Sequence, residues 1–79
     1  MSEQRANLYT HMLTNVLRSA VDAELGLPAK GGRDRKSGER WAAWYYPSGS
    51  IRAVFRAKPD EQRGIVMLAE DSRHASDSR

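Results

Sequence analysis

The sequence contains no cysteine. That removes disulfides, thiolate metal sites and cysteine nucleophiles together, and with them the cross-links that hold most very small secreted domains in shape. A reducing, cytoplasmic setting is the expectation. Long apolar runs are also missing: nothing approaches the roughly 18 consecutive apolar residues of a membrane span. The opening stretch MSEQRANLYTHML places Glu3, Gln4, Arg5 and Asn7 where an export signal needs unbroken apolar sequence. Neither an export signal nor a membrane partner is expected.

Histidine is scarce as well. His11 and His74 stand far apart, with no paired motif to complete a metal site, so no metal is expected. Ser37, Ser48 and Ser50 fall in turns, none in a Gly-x-Ser-x-Gly elbow and none with a histidine placed to act as its base. The stretch from Gly31 to Gly38 has glycines and a Lys-Ser pair but lacks the GxxxxGK[ST] spacing of a phosphate-cradling loop. The carboxylates Glu39, Asp60, Glu61, Glu70 and Asp71 read as solvated turn residues. These gaps point away from catalysis, and neither an enzyme nor a cofactor is expected.

What is present suits one small domain. The chain has 79 residues, 39% of them hydrophobic and 29% charged, with a mean hydropathy of -0.73. A chain this short hides a modest share of its surface on folding, which makes self-association attractive. The net charge of +3 is unevenly placed, since residues 30–63 hold nine basic and four acidic side chains. Such an asymmetry suits a negatively charged partner surface.

Leu8, Met12, Leu13, Val16, Leu17, Ala20 and Val21 recur at helical spacing, with Tyr9 at the margin. This predicts one long amphipathic helix with Ser2 as its N-cap. Gly26 should close it near Leu25, Leu27 should fold back onto its last turn, and Pro28 should prevent it resuming. Residues 29–39, with three glycines and mixed charge, read as a flexible basic loop. Residues 40–46 and 51–57 read as a β-hairpin around the turn at Pro47, and 64–69 as a third strand. The expected fold is α+β: a single domain over residues 1–70, with a long N-terminal helix on one face of a three-stranded antiparallel meander, and a disordered tail over 71–79. This α-β-β-β order is similar to the opening elements of the double-stranded-RNA-binding and HicA-toxin folds. The functional motifs of neither occur, so no family is assigned.

Alternation along the strands places Trp41, Tyr45, Ile51 and Phe55 under the helix. Arg40, Trp44, Tyr46, Arg52 and Arg56 would then share the uncovered face, with Arg33, Arg35 and Lys36 adding charge from the adjacent loop. Trp, Tyr and Arg are the residue types enriched at interface hot spots. The expected function is non-enzymatic binding to another protein with an acidic or mixed surface, masking or inhibiting it. A homodimer through the same face is a related expectation. In size and style the chain resembles the accessory inhibitors that phages and mobile elements direct at host machinery, anti-CRISPR proteins among them. The alternative is a nucleic-acid-binding protein, in which bases stack on the aromatic rings and Arg neutralises phosphate.

Overall fold

The computed structural model describes residues 11–71. They form β1 (His11–Leu17), α1 (Arg18–Leu25), β2 (Lys30–Arg33), β3 (Arg40–Tyr45), β4 (Ile51–Ala57) and β5 (Arg63–Leu68). All five strands join one antiparallel sheet in the order β1-β5-β4-β3-β2. This overturns the expected long helix on a three-stranded meander. The domain is mostly sheet, and its one described helix has eight residues. Ser2, Leu8 and Tyr9 lie outside the described residues, as does the tail from residue 72 on.

The helical spacing of the N-terminal segment has a different cause. Leu13 pairs with Val66 and Val16 with Gly64, so three steps along β1 match two along β5. A β-bulge supplies the extra residue, and Asn15 takes a left-handed conformation there, with φ 59. Asn tolerates that region better than most side chains because it is short and polar. Two apolar residues three apart thus reach the same face of a sheet, as they would the same face of a helix. Pairing with β1 also satisfies backbone N–H and C=O groups that would otherwise line the free edge of β5.

Because β1 and β2 lie on opposite edges, the chain between them must cross the sheet, and α1 makes that crossing. Val21 is buried with Ala42, Trp44, Ala53, Phe55, Ala57 and Val66, while Val16, Leu25 and Leu68 pack at the margin. Large and small residues alternate across the strands: Ala42 opposes Phe55 and Trp44 opposes Ala53. The alanines leave room for the two rings and for the helix above them. Gly26, at φ 84, ends the helix and donates its N–H to the Asp22 carbonyl at 2.8 Å. Leu27, expected to fold back on that turn, is instead 86% exposed.

The stretch read as a loop over 29–39 contains β2 and a tight turn. Lys30 to Arg33 pair with Ala43 to Arg40, and Asp34 N–H closes on the Glu39 carbonyl at 2.8 Å. Two glycines in four residues hid this strand, since Gly is depleted in strands generally. It is tolerated here on an edge, next to a partner strand that supplies the side chains.

Two substitutions test this packing. Phe55→Ala should cost about 3–5 kcal/mol, most of what so small a domain has, and leave the protein largely unfolded in urea titrations. Gly64 has no space for a side chain: a Cβ there would run into the Arg56 carbonyl oxygen and come within 2.9 Å of the Ala57 Cβ. Gly64→Ala should therefore cost roughly 1–3 kcal/mol of stability in urea titrations through a steric clash, while Gly49→Ala, in open space but at φ 97, should cost stability through backbone strain alone.

Candidate functional site

The direction of each β3 side chain decides what the uncovered face offers. Trp44 is 3% exposed and lies under the helix, where its Nε1 donates to the Gly26 carbonyl at 2.8 Å. The Arg18 guanidinium sits 5.8 Å from the centre of its ring. The sequence-based assignment of β3 is therefore inverted. Arg40, Ala42 and Trp44 face the helix side, and Trp41, Ala43 and Tyr45 face the open side. Both sets contain a tryptophan, so alternation alone could not choose between them. Each set also contains an alanine, and the facing is settled by the cross-strand pairing that sets Ala42 against Phe55 and Trp44 against Ala53.

The expected contact residues consequently separate. Arg40 is half-buried and points its Nη2 at the Glu61 carbonyl and, at 3.5 Å, the Lys58 carbonyl. It braces the β4–β5 turn. Its Nε is buried and makes no hydrogen bond. Tyr46 donates its hydroxyl to the Ala69 carbonyl at 2.8 Å, and Arg52 lies 5.8 Å over its ring. This pair clamps the chain after β5 to the β3–β4 hairpin. Ser48 and Ser50 reinforce the clamp, each donating its hydroxyl to an Asp71 carboxylate oxygen, at 2.9 and 3.0 Å. Arg56 is exposed on the open face and bonds Glu39 Oε1 through Nη2 at 2.9 Å.

Arg33, Arg35 and Lys36 surround the β2–β3 turn, all exposed. Arg33 reaches the Gly38 carbonyl at 3.4 Å. Asp34 organises the turn by accepting the backbone N–H groups of Ser37 and Lys36 at 3.0 and 2.8 Å. Those two bonds, Ser37 first, hold its carboxyl below the ordinary value of 3.8. The turn is therefore built rather than loose, and it presents its cations next to the sheet.

Several residues of the uncovered face were not among the expected contacts. Across the strands run Met12, Met67, Val54, Ala43 and Lys30 in one row, and Ile65, Arg56, Trp41 and Gly32 in the next. Met12 is 63%, Ile65 41% and Trp41 36% exposed. The Trp41 indole lies over Gly32, where a Cβ would meet its ring atoms at 3.3 Å. The missing side chain lets the ring lie flat across the edge strand, leaving its other face to solvent. Lys30 Nζ stands 5.7 Å from the centre of the Tyr45 ring. An apolar band with aromatic and cationic members thus covers the open side of the sheet.

Among the described residues, no group of three or more His, Cys, Asp or Glu side chains could hold a metal ion, and no helix is long and apolar enough to cross a membrane. Comparison with protein-family models, curated proteins and solved structures returns no match.

The inverted assignment has an optical test. In Trp44→Phe the remaining Trp41 should emit to the red and be strongly quenched by acrylamide; in Trp41→Phe the buried Trp44 should emit to the blue and resist quenching. The opposite pattern would restore the original facing. For the turn, the Asp34 carboxyl followed by NMR should titrate below 3.8. Because its folded value is depressed, its contribution to turn order is complete above the unfolded value and is lost as pH falls through the folded one. Lys36 and Ser37 amides should lose protection over that acidic window, and Asp34→Ala should remove the protection at neutral pH.

Proposed function

We propose that this protein acts by stoichiometric binding to another protein through the uncovered face of its sheet, masking the surface it covers. The observation that carries this reading is the one-sided covering of the sheet: α1 shields one face, while Trp41, Ile65 and Met12 remain exposed on the other. Met, Trp and Arg together are the composition of an interface centre.

The edges of the sheet support the face as the point of contact. β1 is interrupted by its bulge at Asn15, and β2 has four residues with Lys30 and Arg33 at its ends. Bulges, short length and cations are the devices that discourage strand addition. Nucleic acid fits the face less well. A single strand needs successive stacking rings along a cationic track. Here Tyr45 is half-buried with Lys30 beside its ring, and Arg56 is held by Glu39. The aliphatic members, Met12, Met67, Val54 and Ile65, offer no stacking surface.

Light scattering on the isolated protein sets the baseline, and retention of proteins from a lysate then compares wild type with Trp41→Ala/Ile65→Glu. The double variant should keep its circular dichroism and lose the specifically retained protein by at least tenfold. Trp41→Ala/Ile65→Glu retaining every partner would remove the face from the account. A single-stranded oligonucleotide complex that dissolves as salt rises would favour nucleic acid instead.

A further inference from the structure

Resting on that reading, we infer that the partner presents an acidic segment carrying one bulky apolar side chain, received in a groove on the β1–β5–β4 side of the uncovered face. The groove has a volume of about 350 Å³ and is lined by Met12, Ile65 and Met67, with Arg56, Lys58 and Arg63 among the charged residues around them. That volume is at the small end of ligand sites, roughly 300–1,000 Å³, and suits one or two side chains better than a cofactor.

Charge selects the occupant. Among the described residues the ion pairs are Arg18 with Asp22 and Arg56 with Glu39. Neither Lys58 nor Arg63 has a carboxylate in contact. Arg63 bonds only the Asn15 carbonyl, at 3.1 Å, which leaves its charge uncompensated. Arg56 uses Nε and Nη2 on a single oxygen of Glu39, so its Nη1 stays available. Glu39 and Glu61 also border the groove, against the three cations Arg56, Lys58 and Arg63. Lys30, opposite Ala43, extends the same sign across the face. A second copy of this chain would bring those cations against one another, and a basic partner would do the same. A carboxylate-bearing segment would instead pair with Lys58 and Arg63 while its apolar residue covers Ile65 and Met67.

The experiment uses the full chain, labelled with nitrogen-15, and three peptides: acetyl-DEDLFDED-amide, acetyl-KSKLFKSK-amide and acetyl-DEDGSDED-amide. The first should shift the amides of Arg56, Lys58, Ile65 and Met67, with an affinity that falls several-fold as salt rises from low to physiological strength. The other two should bind at least tenfold more weakly. Lys58→Glu should weaken the first peptide by about tenfold, whereas Ala23→Glu, which adds negative charge to the exposed surface of α1, should leave it unchanged. Equal binding of the lysine-flanked peptide at the same residues would overturn the acidic partner while leaving the binding face standing. If no peptide moves these amides, the inference fails, and the broader reading is judged by the Trp41/Ile65 variant alone. Stronger shifts with oligodeoxythymidylate would overturn both.

Discussion

The hydrogen bond from the Trp44 indole to the Gly26 carbonyl fixes how this protein is put together. A buried indole N–H must find an acceptor, because leaving it unpaired costs about 1–3 kcal/mol. The end of α1 supplies one: a helix terminus has carbonyl groups with no partner within the helix. One contact therefore satisfies two groups and ties the helix to β3. It also sets the direction of every β3 side chain, since Trp44 turned inward means Trp41 and Tyr45 turned outward. The make-up of the uncovered face is a consequence of where one tryptophan found its acceptor.

Some of this was legible beforehand and some was not, for reasons that can be named. The hairpin over β3 and β4 and the strand at β5 announce themselves through β-branched and aromatic residues between Pro, Gly and Ser turns. Gly26 marks the helix end for an equally local reason. What misled was spacing that two structures share. Leu13 and Val16, three apart, suit one side of a helix, and they suit one side of a strand equally once Asn15 adds a residue. The β2 strand shows the opposite failure. Lys30-Gly31-Gly32-Arg33 has no strand-like side chains, and its conformation comes from pairing with β3, a contact that short-range pattern does not encode.

The candidate site followed the same division. Arg56 comes from the part of β4 where Ala53, Phe55 and Ala57 alternate cleanly, whereas Arg52 stands at a shift in register and packs over Tyr46. Trp44 and Arg40 were expected beside them and instead lie on the helix side, one as core and the other as a brace for the β4–β5 turn. The methionines and Ile65 entered the face from β1 and β5. Met12 faces that way through pairing of β1 with β5, strands more than forty residues apart, which a window of ten or fifteen residues does not see, while Ile65 and Met67 follow from the register of β5 against β4.

The geometry of the sheet limits what any partner of this face can be. Strands about 4.8 Å apart and residues rising about 3.3 Å give five strands of some six residues a projected area of roughly 480 Å². A stable interface buries about 800 Å² on each partner, counted over the folds of side chains. The face cannot reach that figure through a few central contacts. A protein held on this face would have to lie across most of the strands and meet the adjoining turns, where Arg35, Lys36 and Lys58 stand. Gly38 lies against Pro59, so the two turns touch and form one margin of mixed charge, with Asp34, Glu39, Asp60 and Glu61 among its cations. A partner large enough to be held by the apolar band is therefore brought against that margin as well, and the same contact that buries Trp41 and Ile65 tests the charge of whatever covers them.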